Sequence, residues 1–388
     1  MNPRRILFVG DNFGPHMARL AAAVSRAGCA VTVWDGEDCL RQVPERPPQL
    51  QTATVRAWSL RGNSRPLIRR FQERLNAARV WRCVRRTGAE LVHFLNLSCH
   101  GLPGDYWRDE LPLVATAFGS DVDDTVIAKH QHYELVRERV LTSAAVVTGD
   151  STCMIDRCRA LVPGKPEECY RLIRWGVDTT RFNLASAQRG RRVWRERLGI
   201  PADGWVILSQ RNTRPNYRIE LILAAFELVL KEQPATLVIK THRQLSEADA
   251  DYLRRLEERA APCAEHVRFV GSVAYEELAE FYATADVAVS VPAADGAPAS
   301  FLELMALGVP VVAGNLPDYA DLLTAEETGV LVDDSSPQRL AGALLALHAD
   351  PARRRGIAER AAAFAHGRGS WGSSVEQFLA AYRAAVKR

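Results

Sequence analysis

Three features that would mark other classes of protein are missing from this chain of 388 residues. No stretch reaches the roughly 18–20 consecutive apolar residues that a helix needs to span a bilayer. The N-terminal apolar run Ile6–Val9 is also too short for a signal peptide. No Cys-x-x-Cys pair occurs, and the spacing of Cys153 and Cys158 fits no common zinc pattern. We therefore expect a cytoplasmic protein with reduced thiols and no structural metal.

A charge of one sign is also missing overall, because Lys+Arg number 50 and Asp+Glu number 46. A domain that binds nucleic acid usually has a stronger basic excess, so we expect no nucleic-acid partner. This balance conceals a local excess, since residues 56–86 contain ten arginines and a single acidic residue, Glu73.

Apolar residues recur at helical spacing within Pro66–Arg86, with arginines on the remaining faces: Leu67, Phe71, Leu75, Ala78 and Trp81. Three interpretations remain open. The helix could lie on an anionic membrane surface, bind an acidic acceptor, or pack its apolar stripe into the core with a solvated arginine face.

What the sequence does contain is a regular alternation of short apolar strands and helical patterns. Such strands include Ala30–Trp34 and Leu91–Leu95 in the first half, and Val206–Ser209 and Val287–Val291 in the second. An arginine- and glycine-rich region near residues 185–204 is predicted to be a loop between the first and the second series of strands and helices. This pattern predicts an α/β protein of two Rossmann-like, doubly wound domains, which would face a central cleft. We expect the chemistry in loops that follow strands, because such sheets bind ligands at their carboxyl ends.

The most informative of these loops lies within residues 290–314, where a strand leads into Asp295 and a helix follows near Ser300. Glu303 comes eight residues after Asp295, one turn inside that helix. The loop amides and the helix N-terminus could bind a phosphate leaving group, and the two acids could hold hydroxyls on either side of it. Alternatively, Ser300 and Glu303 form a capping box and Asp295 lies in a turn.

This segment resembles the acidic-x7-acidic signature of retaining nucleotide-sugar glycosyltransferases of the GT-B fold, family four (group 1) type. Further motifs of that family occur in the same order along the chain: Arg174–Phe182, Gly271–Val287, Pro317–Asp321 and Gly329–Val332. The resemblance covers nearly the whole chain. It implies an acceptor-side domain over residues 1–171 with a returning C-terminal helix over residues 371–388, and a donor-binding domain over residues 172–370.

The resemblance also implies roles for the residues of this loop. Asp295 would hold hydroxyls of the donor sugar beside the reacting carbon, and Glu303 would bind the ribose of the nucleotide. The backbone between them would face the sugar and the diphosphate: Gly296, Ala297, Pro298, Ala299, Ser300 and Phe301. Aspartate stands where many relatives have glutamate, so its carboxylate reaches one methylene less far and the identity of the sugar stays open.

A second loop, after the first strand of the second domain, resembles the Gly-Arg…Lys-Gly element of the family. Arg211 matches the arginine that would neutralise the leaving diphosphate, but Tyr217 and Arg218 stand where Lys-Gly would be. Arg218, Arg214 or Lys240 could replace the missing lysine. Cations aimed at the developing diphosphate charge are the main catalytic device available without a metal, so we expect no metal and no cofactor.

The first domain would contribute Gly14, from a loop that is not the Gly-x-Gly-x-x-Gly of a dinucleotide site. Gly119 and Asp121 match the family's Thr-x-His-Gly-x-Asp, with Phe118 in place of the histidine. Asp121 and Asp123 also read as the Asp-x-Asp metal signature of the other major glycosyltransferase fold, but their place inside this motif favours a metal-free site. Three histidines are expected at loops or strand ends facing the cleft, where one could act on the acceptor: His16, His93 and His100.

Together these features predict a retaining glycosyltransferase that transfers a sugar from a nucleotide-diphosphate sugar to an acceptor hydroxyl. The acceptor would be a sugar, a lipid-linked molecule or a small molecule, in bacterial-type polysaccharide, glycolipid or glycoconjugate assembly. Two alternatives are a nucleotide-sugar epimerase of the same fold and a non-catalytic binding protein. Peripheral attachment to the inner face of the membrane, through residues 56–86, stays open.

Overall fold

The computed structural model describes residues 3–10, 14–34, 47–53, 66–97, 111–119, 121–122, 132–242, 246–333 and 336–387. The chain forms two compact units. The N-terminal unit comprises Met1–Trp175 and Ser374–Arg388, and the C-terminal unit comprises Gly176–Ser373. The sequence suggested boundaries after residues 171 and 370.

The N-terminal unit contains a parallel sheet in the order β3-β2-β1-β4-β5-β6-β7. Its strands are β1 (Arg5–Gly10), β2 (Ala30–Trp34), β3 (Leu50–Ala53), β4 (Leu91–Leu95), β5 (Leu113–Thr116), β6 (Val146–Gly149) and β7 (Tyr170–Leu172). Its described helices before the domain junction are α1 (Gly14–Arg26), α2 (Pro66–Thr87), α3 (His132–Ser143) and α4 (Thr152–Leu161). The strands β4, β5 and β6 are buried along their whole length, which explains their continuous apolar runs.

The C-terminal unit contains a second parallel sheet, in the order β10-β9-β8-β11-β12-β13. Its strands are β8 (Val206–Ser209), β9 (Thr236–Lys240), β10 (Val267–Val270), β11 (Val287–Ser290), β12 (Val311–Gly314) and β13 (Val330–Val332). Its helices are α5 (Leu184–Arg197), α6 (Ile219–Glu232), α7 (Glu247–Ala260), α8 (Leu278–Tyr282), α9 (Ala299–Ala306), α10 (Pro337–Ala349) and α11 (Pro351–His366). The predicted fold class, two Rossmann-like α/β domains, is confirmed.

The last helix, α12 (Trp371–Val386), buries aromatic side chains in the N-terminal unit. Phe378 and Tyr382 are fully buried, and both rings lie against His93 of β4. Aromatic pairs of this kind add packing energy beyond the area that they bury. They explain why the end of the chain groups with the first sheet.

The loop predicted for the arginine-rich region in the second half of the chain is wrong. The region near residues 185–204 is largely helix α5, whose first turn is capped by Asn183. A glycine inside this helix, Gly190, allows close packing, since a Cβ built there would lie 2.3 Å from the Cα of Glu280. Arg195 is buried in the same helix because it serves as an internal hydrogen-bond donor.

In α2 the buried stripe differs from the one that the core-packing interpretation of Pro66–Arg86 would require. The residues that pack inward are Ala77, Val80, Cys83 and Val84, whereas Phe71 is 57% exposed. The second half of α2 packs on β1 and β2, and its smaller side chains fit this contact. No helix among the described residues is both long and apolar enough to cross a membrane.

Candidate active site

Side chains from four neighbouring strands of the C-terminal sheet meet where these strands end. Strand β9 ends at Lys240, β8 leads into Arg211, β11 leads into Asp295, and β12 leads into a 3-10 turn that ends at Tyr319. The strands lie side by side in the order β9-β8-β11-β12. The winding direction reverses between β8 and β11, and doubly wound sheets bind ligands at such a switch point.

Asp295 lies at the centre of this row. Its Oδ1 accepts a hydrogen bond from the Arg211 guanidinium at 2.8 Å, and its Oδ2 accepts one from the Tyr319 hydroxyl at 2.8 Å. Burial raises the pKa of Asp295, while Arg211, the Tyr319 hydroxyl and the Gly296 amide oppose this rise. These donors favour the carboxylate form of a side chain that is only 13% exposed.

Two cations belong to the row. The Arg211 guanidinium lies over the Tyr217 ring, 4.4 Å from its centroid, and donates to the Tyr217 hydroxyl at 3.0 Å. Lys240 Nζ donates to Asn212 Oδ1 at 2.8 Å. Burial, and then the charge of Arg211, lower the pKa of Lys240 to about 8, against the opposing charge of Glu303. The two cations repel each other, and a bound anion would relieve this repulsion.

Helix α9 begins four residues after Asp295 and has no side-chain cap. Ser300 lies inside its first turn, and in the described part of the chain the Ser300 hydroxyl has no hydrogen-bond partner. The capping-box alternative for Ser300 and Glu303 is therefore wrong. Glu303 is buried, at 7% exposure. An uncapped helix N-terminus favours an anion.

Buried polar atoms without a partner gather in the same loops. In the described residues of these loops, side-chain atoms without a hydrogen-bond partner occur in Ser209, Gln210, Thr213, His242 and Ser300. Nearly all buried polar groups in proteins are hydrogen-bonded, so this gathering is typical of a site that a polar ligand completes. The loop also borders open space, because a Cβ built at Gly296 would meet no atom within 4 Å.

Arg218, expected among the donor-binding cations, is engaged with the backbone. Its guanidinium donates to the carbonyls of Val291 and Pro292 at 2.7 and 2.9 Å, and so holds the loop that leads to Asp295. Arg214 is half-exposed and faces an acidic side chain of α7 at 3.6 Å. Of the three candidates for the missing lysine, Lys240 is the one beside Arg211.

In the N-terminal unit, Gly119 and Asp121 belong to one structured loop. The buried Asp121 carboxylate accepts hydrogen bonds from the amides of Leu97, Phe118 and Gly119 at 2.8–2.9 Å. Burial raises the pKa of Asp121, and these bonds oppose it. Gly119 has a φ of 111°, which favours glycine. Both residues therefore shape the loop, and Asp123 lies outside the described residues.

The expected position of His93 at a strand end is wrong. His93 is the central residue of β4 and is fully buried. Its Nδ1 lies 3.0 Å from the Tyr382 hydroxyl, and its Nε2 lies 2.7 Å from the Thr116 hydroxyl. Burial lowers the pKa of His93 to about 3, so the ring is neutral and joins α12 to the sheet.

Two further predicted residues of the N-terminal unit are described only in part. Gly14 is the first residue of α1, and residues 11–13 before it lie outside the described residues. His16 lies in the first turn of α1, but its side chain is outside the described part, as is the whole of His100.

Sequence reasoning missed Tyr319. It lies in the Pro317–Asp321 stretch that matched the family's spacing, but spacing does not show that its hydroxyl reaches Asp295. No group of three or more His, Cys, Asp or Glu side chains suited to a metal occurs in the part of the chain that the structure describes.

Comparison with known proteins finds a family that is similar to most of the C-terminal unit. Residues 190–364 match the model of the family described as "Glycosyl transferases group 1". We call these residues, which are similar to that family over somewhat less than half of the chain, the group 1 segment. The group 1 segment contains every member of the row at the strand ends, together with Glu303.

Two curated relatives match parts of the chain. The D-inositol 3-phosphate glycosyltransferase of Kineococcus radiotolerans is 38% identical over 230 residues, which are 55% of this chain and 51% of that protein. The GDP-mannose-dependent alpha-(1-6)-phosphatidylinositol monomannoside mannosyltransferase of Mycobacterium tuberculosis is 34% identical over 197 residues, 48% of each chain. The matches thus span about half the length of these relatives.

A solved structure extends the likeness over the whole chain. The sucrose-phosphate synthase of Thermosynechococcus elongatus has a TM-score of 0.79 and covers 98% of both chains, at 23% sequence identity. The chain therefore has the GT-B fold that the sequence predicted, with a Rossmann-like domain in each unit.

Proposed function

We propose that this protein is a retaining glycosyltransferase that moves a sugar from a nucleotide-diphosphate sugar to an acceptor hydroxyl. One observation carries the proposal: Lys240, Arg211 and Asp295 lie at adjacent strand ends within the group 1 segment. Two cations suit a diphosphate, and a carboxylate beside them suits the hydroxyls of a sugar.

In the proposed reaction the acceptor oxygen bonds to the anomeric carbon of the donor sugar as the bond from that carbon to the phosphate oxygen breaks. The hydroxyl proton passes to the departing phosphate. Attack from the face that the phosphate leaves retains the configuration. Arg211 and Lys240 stabilise the charge that develops on the nucleoside diphosphate, so the proposal includes no metal.

Further roles in the donor site follow from the place of each group. Glu303 would bind the nucleotide ribose, and the loop from Gly296 to Phe301 would surround the sugar and diphosphate. The uncapped start of α9 and the unpartnered Ser300 hydroxyl support an anion in this position. Arg218 contributes by holding the loop, through its bonds to two carbonyls.

We propose a polyol or glycolipid acceptor, because the two relatives are named for an inositol phosphate and for a phosphatidylinositol monomannoside. We further place the reaction at the cytoplasmic face of a membrane, in polysaccharide, glycolipid or glycoconjugate assembly. The exposed face of α2 supports this placement, since it combines Phe71 with Arg74, Arg82 and Arg85. The anionic cytoplasmic leaflet attracts basic segments.

A donor screen followed by product analysis tests the proposal. Uridine, guanosine, adenosine and cytidine diphosphate sugars are first compared by thermal shift, because a ligand of the folded state raises its stability by RT ln(1 + [L]/Kd). The best donor is then incubated with inositol phosphate and phosphatidylinositol acceptors, and NMR of the product gives its anomeric configuration.

Each outcome of this screen separates the candidates. An acceptor-linked product with retained configuration supports the proposal. An epimerised donor formed without acceptor indicates an epimerase, and stabilisation without turnover indicates a binding protein. If no nucleotide sugar stabilises the protein or is consumed, the proposal is wrong.

A further inference from the structure

Tyr319 is fully buried, although it carries a hydroxyl that must find a partner. It ends the 3-10 turn Pro317–Tyr319 after β12, and its ring meets Phe301 of α9 edge-on, with 4.9 Å between centroids. The ring is therefore held by the same helix whose N-terminus borders the candidate donor site. Burial, and then the charge of Asp295, raise the pKa of Tyr319 far above its usual range, so its hydroxyl keeps the proton and acts as a donor.

The Asp295 carboxylate, which accepts the hydrogen bond from Tyr319, belongs to an irregular segment whose own contribution is the Gly296 amide. Asp295 lies in residues 291–298, which form neither helix nor strand. Its two carboxylate oxygens are held from opposite sides, by Arg211 after β8 and by Tyr319 after β12. These strands flank β11, which delivers Asp295. The position of the carboxylate thus depends on donors from both neighbouring strand ends.

We propose that Tyr319 is a positioning residue of the donor site, whose hydroxyl fixes the Asp295 carboxylate in the orientation that accepts a hydroxyl of the donor sugar. This inference rests on the proposed function. The two carboxylate oxygens together have about four lone-pair sites, and Arg211, Tyr319 and the Gly296 amide use three of them, so one site can accept a sugar hydroxyl while the present donors stay in place. A group held in advance by fixed donors loses less freedom when its ligand binds.

The length of the acidic side chain fits this arrangement. A glutamate at position 295 would carry its carboxylate about one C–C bond, roughly 1.5 Å, further from the backbone. The present aspartate meets both Arg211 and Tyr319 at 2.8 Å. The hydrogen bond from Tyr319 therefore suits the length of an aspartate at position 295.

Tyr319→Phe removes the hydroxyl and keeps the ring against Phe301. We expect kcat/KM for the nucleotide sugar to fall roughly ten- to a hundred-fold, the range for a lost hydrogen bond to a charged group. The Kd of the nucleoside diphosphate alone should stay unchanged, because this product lacks the sugar. The acid limb of the pH profile should move to higher pH, since one of the groups that lower the pKa of Asp295 is gone.

Tyr252→Phe is a matched control. The Tyr252 hydroxyl also donates to a carboxylate, that of Glu220, and accepts a hydrogen bond from the Ile219 amide, and none of these residues belongs to the row at the strand ends. This variant should keep the pH profile and kcat/KM of the wild type. In an Asp295→Asn background, Tyr319→Phe should have little further effect if it acts through that carboxylate, whereas independent effects would multiply.

A measurement on the free protein separates this inference from the proposed function. Carbon-13 NMR of the aspartate carboxyls should show that Tyr319→Phe raises the pKa of Asp295, with or without any donor. An unchanged titration, an unchanged kcat/KM, or effects that multiply with Asp295→Asn would overturn the positioning role. Failure of the wild type to use any nucleotide sugar would instead contradict the proposed function, and the titration would still decide whether Tyr319 holds Asp295.

Discussion

The C-terminal unit has two buried arginine–aspartate pairs at opposite ends of one sheet. Arg195 and Asp286 meet at the amino ends of β8 and β11, and Arg211 and Asp295 meet at the carboxyl ends of the same strands. The N–O distance is 2.8 Å in both pairs. The pairs differ in what surrounds them.

The pair at the amino ends is closed. The Arg195 side chain is 3% exposed, and besides Asp286 it donates to the carbonyls of Ala202, Gly204 and Thr284 at 2.8–3.1 Å. Asp286 in turn accepts from the Val206 amide at 2.8 Å and from a second arginine of α5. Every partner belongs to the protein, so this pair joins α5 to the sheet.

The pair at the carboxyl ends is open. Among the described residues, Arg211 donates only to Asp295 and Tyr217, and both bonds use the same nitrogen. Unpartnered polar groups such as Gln210 and Ser300 lie in the surrounding loops. The difference teaches that saturation of the donors, more than the ion pair itself, distinguishes a structural pair from one that awaits a ligand.

The largest effect is expected when the closed pair is broken. Arg195→Met should destabilise the protein by about 3–5 kcal/mol, because it leaves buried carbonyls without donors and Asp286 with less compensation. Thermal unfolding followed by circular dichroism should show a melting temperature on the order of 10 °C lower. Arg192→Met, at an exposed position of the same helix, should stay within about 0.5 kcal/mol of the wild type. Equal melting temperatures for both variants would show that the closed pair has no structural role.

Breaking the open pair should affect the rate of sugar transfer more than the stability of the protein. Asp295→Asn should lower the rate of sugar transfer by about 100-fold or more, as expected when a charged group aimed at the reacting centre is lost. Its melting temperature should fall less than that of Arg195→Met. Single-turnover assays and thermal unfolding of both variants check this contrast. If Asp295→Asn transferred sugar at the wild-type rate, Asp295 would have no role in the donor site.

The two ends of this sheet also show how much could be predicted from the sequence. Strands buried on both faces, such as Leu91–Leu95 and Val206–Ser209, have the predicted bounds because an apolar run of that length has few alternatives. Helix α5 was not predicted, since its buried Arg195 is stabilised by carbonyls distant in sequence. Polar edge strand β3 was missed for lack of an apolar run.

Some residues of the candidate site could likewise be predicted from the sequence, and others could not. The resemblance named Asp295 and Arg211, and the structure brings them together at 2.8 Å. It could not name Tyr319, whose contact with Asp295 depends on the path of two loops. His93 was misplaced because a neutral, buried histidine in a strand looks the same in sequence as one at a strand end.

Two glycines provide a test with smaller expected effects, because Gly190 is tightly packed whereas Gly296 borders open space. Gly190→Ala should destabilise the protein by about 1–3 kcal/mol, because its Cβ would lie 2.3 Å from the Cα of Glu280. Gly296→Ala should leave the melting temperature unchanged, since its Cβ meets no protein atom, but should raise the KM for the donor roughly ten-fold. Gly342→Ala, also in open space, should leave the donor KM unchanged and should not lower the melting temperature. A normal donor KM for Gly296→Ala would show that the open space beside Asp295 is not occupied by the donor.

The smallest effect is expected from the pH, because Lys240, beside the open pair at the carboxyl ends of the strands, can lose its positive charge near neutral pH. Lys240 has its pKa lowered to about 8 by burial and by the charge of Arg211, and a lysine is positive only below its pKa. We therefore expect kcat/KM for the donor to be constant below pH 8 and to fall roughly ten-fold per pH unit above it, until the rate of the uncharged form is reached. Lys240→Met should give a lower, flat profile in this range, whereas Lys231→Met, at an exposed position of α6, should keep the fall. A profile for Lys240→Met that still falls above pH 8 would assign the titration to another group and leave Arg211 as the cation on which the open end depends.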